Sequence, residues 1–123
     1  MLATCELIAF GATVQPERAK DFYQKTLGLS LVADEPWALV FDANGTMLRL
    51  QKVPQFTPAP FTSLGWRVND IHALLQRLAE TGVSAERYAH FEQDALGVWS
   101  SPGGAKVAWF KDPDGNTLSL TQF

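Results

Sequence analysis

Few side chains in this sequence can do chemistry, and their spacing limits what that chemistry can be. Cys5 is the single thiol and has no histidine beside it, so a buried, unreactive sulfur is expected. His90, Glu92 and Asp94 alternate along an extended stretch and could turn their donors to one side. A divalent metal is one reading of that pattern, and a solvated polar loop is the expected one. His72 falls early in a predicted helix, on its polar side, where a surface position is expected. The run Asp112-Pro113-Asp114-Gly115 is a turn rather than a calcium loop: its glycine comes two places early, and no bidentate Glu follows at the needed spacing. No Gly-x-Ser-x-Gly elbow, phosphate loop or dinucleotide fingerprint is present. With one cysteine, neither an intramolecular disulfide nor a thiolate zinc site can form, and a reducing cytoplasm is the expected location.

Composition narrows the partners. The chain has 123 residues, 46% of them hydrophobic, which is enough for one self-supporting domain spanning residues 1–123. Only 19% are charged, with 10 Lys plus Arg against 13 Asp plus Glu and a net charge of −3, so no basic stripe awaits the phosphates of a nucleic acid. No apolar run reaches the ~18 residues a membrane span needs. The stretch from Met1 to Val14 lacks a basic lead-in and carries Glu6, unlike a signal peptide.

The elements that must position these residues read as one pattern used twice. Residues 6–13 predict a buried strand, and Pro16, Glu17 and the helical spacing of Ala19, Phe22, Tyr23 and Leu27 predict a helix that Gly28 stops. Strands follow at 28–33, 37–42 and 46–53, the last two joined by Asn44-Gly45. The proline-bearing stretch 54–61 is a linker between a first repeat over about 5–53 and a second over 62–123. The second repeat begins with a strand at 62–68 and a helix capped by Asn69 or Asp70, striped by Ile71, Leu74, Leu75 and Leu78 and stopped by Gly82. A weak strand at 83–88, another at 97–101, and strands at 106–111 and 116–122 complete it, with Asp114-Gly115 in the second hairpin turn. The hairpin glycines Gly45 and Gly115 lie farther apart than the stop glycines Gly28 and Gly82 do, so the second repeat carries an insertion between Tyr88 and Gly104. The fold class is α+β. One helix covers one face of each four-stranded sheet, so two curved sheets facing each other, helices outside, would satisfy both repeats and enclose a cleft.

The repeat, the segment Arg18-Ala19-Lys20-Asp21-Phe22-Tyr23-Gln24-Lys25-Thr26-Leu27-Gly28-Leu29 and the ending Phe110-Lys111-Asp112-Pro113-Asp114-Gly115-Asn116-Thr117-Leu118 resemble the vicinal oxygen chelate superfamily, which includes glyoxalase I, bleomycin resistance proteins and extradiol dioxygenases. The resemblance implies two βαβββ repeats forming a cup, often a homodimer, and in the enzymes a divalent metal held by His and Glu or Gln on the first and last strand of each half. Carried over, those positions fall on Ile8, Arg49, Ser63 and Ser119. None is a usual metal ligand, and a shift of one residue does not recover one. No metal and no cofactor are therefore expected.

Alternation supports the same register. Leu7, Ala9, Leu48, Leu50, Leu64, Trp66, Val68, Leu118 and Leu120 form an apolar set suited to lie under the helices. The opposite parity is mixed, as a ligand pocket is: Phe10, Met47, Arg49, Gln51, Ser63, Arg67 and Ser119 are the candidate lining. Facing inward, Arg49 pairs with a ligand's carboxylate or phosphate or with an internal acid among Glu6, Glu35, Glu92 and Asp94, or else reaches water at the rim. Arg67 ends its strand, at the rim. Of the four tryptophans, Trp66 belongs to the packing side, while Trp99 in the insertion and Trp37 beside Pro36 are placed to stack on a flat ligand or fill an interface.

The favoured expectation is a metal-free protein that binds or sequesters a small molecule, an anion if Arg49 is not paired internally. A lyase, isomerase or dioxygenase with metal ligands at other positions, such as His90 and Glu92, is the alternative. A dimerisation module with a filled cup is the third.

Overall fold

The computed structural model describes residues 1–123, which divide into two compact units, 1–57 and 58–123. Each holds one four-stranded mixed sheet, and together they give two βαβββ repeats. No helix is long and apolar enough to cross a membrane.

The first unit consists of β1 (Ile8–Thr13), α1 (Pro16–Asp21), β2 (Ser30–Asp34), β3 (Ala38–Ala43) and β4 (Thr46–Lys52), in the sheet order β1-β4-β3-β2. Strand β1 runs parallel to β4, and the other pairs are antiparallel. Pro16 opens α1 as predicted, and the Thr13 hydroxyl accepts from the Gln15 N–H at 3.0 Å, doing the work Gln15's own side chain does not. The expected regular helix widens instead into a π turn over Phe22–Thr26, closed by Leu27 N–H to Phe22 O at 2.9 Å. The extra residue in that turn lets both Phe22 and Tyr23 be buried, with their rings edge to face. Tyr23 reaches Phe41, and Leu39, Phe41, Leu48 and Leu50 complete the core on that side of the sheet. Asn44 and Gly45 take positive φ, 50° and 93°, as the tight β3–β4 turn requires.

The second unit consists of β5 (Thr62–Arg67), α2 (Ile71–Glu80), β6 (Trp99–Ser100), β7 (Lys106–Lys111) and β8 (Thr117–Gln122), ordered β5-β8-β7-β6, with β5 parallel to β8. The Asp70 carboxylate caps α2 by accepting from Ala73 N–H at 3.1 Å. Ile71, Leu75 and Leu78 of α2 are buried, as are Ala108, Phe110, Leu118 and Leu120 of the sheet. Asp112 accepts from the backbone of Asp114 and Asn116, both at 2.9 Å, which makes the Asp112–Gly115 segment the expected turn.

Four expectations need correction. Glu6 and Leu7 precede β1 rather than opening it, and Leu7 is 78% exposed, so it does not pack under the helix. Cys5 is exposed as well, because the chain before β1 makes a surface turn with Cys5 N–H to Leu2 O at 3.0 Å. Residues 83–88 form no strand: a single backbone bond, Glu86 N–H to Trp109 O at 2.7 Å, joins them to β7. Trp66 is half-buried rather than core.

Candidate functional site

Strand register decides which of the candidate residues share a face, because residues directly opposite one another on neighbouring strands point to the same side. In the first unit Ile8 lies opposite Met47 and Met47 opposite Asp42; Phe10 lies opposite Arg49 and Arg49 opposite Val40; Ala12 lies opposite Gln51. Phe10, Met47, Arg49 and Gln51 are therefore brought together, on the side away from the Tyr23–Phe41 core. The apolar members are open: Phe10 is 54% and Met47 42% exposed. Arg49 is engaged. Its Nη2 donates to Glu35 Oε2 at 3.0 Å, the internal acid among the partners the sequence allowed. Trp37, two residues from Glu35, is exposed.

In the second unit Arg67 lies opposite Thr121, Thr121 opposite Val107, and Val107 opposite Trp99, forming one row across all four strands. The neighbouring row is Gly65, Ser119 and Trp109. Ser119, Arg67 and Trp99 thus share a face. Ser63 sits at a bulge in β5 between Thr62 and Leu64, exposed, two residues from Gly65. Ser119 is buried and its Oγ stands 2.8 Å from where a Cβ on Gly65 would be, so only glycine leaves room for that hydroxyl. Arg67 is exposed at the sheet end, its guanidinium 5.1 Å above the Phe123 ring, as a rim residue would be.

Trp99 does not stand alone. Phe91 stacks on Trp109 at 5.2 Å with its plane 5° from parallel, Trp99 lies 4.6 Å from Phe91, and Tyr88 meets Trp109 edge-on at 5.5 Å. All four rings are only partly buried. Burial and, after it, the nearby Glu86 carboxylate raise the Tyr88 hydroxyl above its ordinary pKa. Phe91 and Trp109 were missing from the sequence candidates. Counting back from the Asp114-Gly115 turn would have put Trp109 opposite Ser119; nothing in the sequence marks Phe91.

The inserted segment that supplies Phe91 and Trp99 is tied down by its own polar side chains. Gln93 donates to Glu86 O and Gly97 O, both at 2.9 Å, and accepts from Tyr88 N–H at 2.8 Å. Arg87 donates to the Asp94 and Ala95 carbonyls, each at 2.6 Å. Asp94 Oδ1 accepts from Leu96 and Val98 N–H at 3.0 Å, and its Oδ2 lies 2.7 Å from His72 Nε2 on α2. Burial pushes the Asp94 carboxyl up, but the His72 bond and the two backbone bonds outweigh it and hold the group below the ordinary carboxylate range. His72 is thus a surface residue with a partner, and His90 and Glu92 remain exposed.

Two clefts border these faces, one in each unit. The first, about 270 Å³, is lined among others by Glu6, Ile8, Val32, Asp42 and Met47. The second, about 410 Å³, is lined by Glu92, Gln93, Asp94, Val98, Trp99 and Ser100.

The divalent metal implied by the resemblance does not fit the residues at its positions. Ile8 has no donor atom, the Arg49 cation is bound to Glu35, and Ser63 and Ser119 offer only neutral hydroxyls. The register is the same in both units: Arg49 pairs with the residue two beyond Ile8, and Ser119 with the residue two beyond Ser63. Nowhere do three or more His, Cys, Asp or Glu side chains gather as a metal set.

The family model described as Glyoxalase/Bleomycin resistance protein/Dioxygenase superfamily matches residues 12–120. A member of that superfamily from Sphaerobacter thermophilus DSM 20745 is 25% identical with a TM-score of 0.77, covering 100% of both chains. TnmS3, an antibiotic binding protein from Streptomyces sp. CB03234, is 30% identical with a TM-score of 0.68, covering 97% of each chain. A bleomycin resistance determinant encoded on the transposon Tn5 shares the fold at 20% identity and a TM-score of 0.75, over 97% of this chain and 98% of that one. No curated protein matches the chain.

Proposed function

The chain belongs to the Glyoxalase/Bleomycin resistance protein/Dioxygenase superfamily, and within it we propose that it is a metal-free protein that binds or sequesters a small planar organic molecule. The observation that carries this reading is the half-open aromatic wall of Phe91, Trp99 and Trp109 on the sheet face that also bears Ser119. Offset stacking on such rings contributes about 0.5–1.5 kcal/mol per pair beyond simple burial. Ser63 and Arg67 edge that sheet face, and the first sheet has its own open face with Phe10, Met47 and Gln51. The residues at the metal positions favour binding over Lewis-acid chemistry. Asp42 shares the first face with Met47 but its Oδ1 accepts from Gly45 N–H, and none of the candidate lining residues is a His, Glu or Asp, which favours binding over general acid–base catalysis. Relatedness to TnmS3 supports a ligand of antibiotic-like size.

A cytoplasmic homodimer completes the proposal. Val32, Phe10 and Trp37 are exposed, and a second copy would cover part of that apolar surface.

The test is equilibrium dialysis of the protein against three planar probes of different charge: proflavine, acridone and anthraquinone-2-sulfonate. Saturable binding of at least one, weakened about tenfold by Trp109→Leu through loss of stacking, is expected. Failure of all three to bind saturably overturns the binding reading.

A further inference from the structure

Resting on that binding reading, we propose that the ligand is an organic cation with an apolar or aromatic body, the opposite of the anion that Arg49 suggests in the sequence. The two clefts carry the argument independently. In the first unit, Ile8, Val32 and Met47 offer an exposed apolar floor, and the charged residues lining it are Glu6 and Asp42. Asp42 uses Oδ1 to accept from Gly45 N–H at 3.0 Å, and Glu6 has no ion pair. In the second unit, the partly open indole of Trp99 and the side chain of Val98 stand beside Glu92 and Asp94. Neither cleft is lined by a lysine or an arginine.

Most of the cations nearby are spoken for; Lys106, directly opposite Ser100 of the second cleft, has no ion pair but does not line the cleft. Arg49, one row from the first cleft, is neutralised by Glu35. Arg87 turns its guanidinium to the carbonyls of Asp94 and Ala95. Arg67 rests on Phe123, and Lys111 donates to the Thr117 hydroxyl; neither lines a cleft. Asp94 Oδ2 is hydrogen-bonded to His72 Nε2, which leaves Glu92 as the carboxylate beside Trp99 with no side-chain partner. A carboxylate next to an indole face or an apolar floor attracts a cation by charge and by the ring quadrupole together, and repels an anion.

The same three probes decide it, because they share shape and differ in charge. Proflavine, the cation, is expected to bind tightest, acridone next and anthraquinone-2-sulfonate weakest. In the Glu6→Gln/Glu92→Gln double variant, both positions being exposed, proflavine affinity should fall about three- to fivefold, the range for partly exposed ion pairs, with acridone unchanged. Raising the salt concentration should weaken proflavine alone. Anthraquinone-2-sulfonate binding as tightly as proflavine, or a double variant with undiminished proflavine affinity, overturns the cation inference while leaving the binding reading intact. Loss of binding for all three probes overturns both.

Discussion

Arg49 Nη2 lies 3.0 Å from Glu35 Oε2, and this contact sets the charge of the first sheet face. Arg49 stands in the middle of that face, opposite Phe10 on one side and Val40 on the other, where a bare guanidinium would select anions. Glu35, from the turn between β2 and β3, cancels it.

Glu35→Gln should therefore invert the charge preference of the face. Anthraquinone-2-sulfonate affinity is expected to rise about fivefold, the equivalent of roughly 1 kcal/mol, and proflavine affinity to fall, both read by equilibrium dialysis. Unchanged affinities for both probes would show that the pair stands apart from the ligand. Both partners are part-exposed, so Arg49→Ala should cost no more than about 1 kcal/mol of unfolding free energy.

Gly65 and Ser119 test the register of the second face. A methyl group on Gly65 would meet Ser119 Oγ at 2.8 Å, so Gly65→Ala should destabilise the protein by about 1–3 kcal/mol in denaturant melts. Adding Ser119→Ala should recover part of that loss. Additive costs in the double variant would mean that the hydroxyl is not against Gly65.

Acid sensitivity follows from Asp34. Bonds from Lys52 and then Lys20 hold its carboxyl below the ordinary aspartate range. A carboxylate whose pKa is depressed by folding contributes stability above its unfolded value and loses it as pH falls through the folded one. The melting temperature should thus decline below about pH 4, and Asp34→Asn should flatten that decline. An equally steep acid limb in the variant would assign it to other carboxylates.

Asp94 organises the insertion that holds Trp99. Asp94→Ala removes the acceptor for Leu96 and Val98 N–H and the partner of His72, so amide exchange at Leu96 and Val98 should speed up while the β7 and β8 amides keep their protection. Proflavine affinity should fall with it. Unaltered exchange at those two amides would place the control of the loop in Gln93 and Arg87.

What the sequence revealed was whatever local rules decide. Lys106–Lys111 forms the strand its pattern predicts, Asp70 caps α2, and Asn44-Gly45 makes its turn, each governed by neighbours within a few residues. Alternation correctly placed Phe10, Met47, Arg49 and Gln51 on one face, and Ser119 and Arg67 on another. Leu7 and Cys5 went wrong because apolar character alone does not say where a strand begins. Residues 83–88 read as a weak strand, but their one backbone bond to the sheet is Glu86 N–H to Trp109 O, and the rest of their bonds go to α2 and the insertion. The Phe91–Trp109 stack joins residues of distant elements, and Glu35 reaches Arg49 from a separate turn; such partners depend on tertiary packing, which periodicity does not encode.

The central claim is a binding face without a metal, and metal content tests it most directly. Protein purified without a metal-binding tag should be incubated with Zn, Ni, Mn and Fe(II), dialysed and analysed for bound ions. A stoichiometry near zero for every ion is the predicted result. About one tightly held ion per chain, retained through dialysis, would contradict the account.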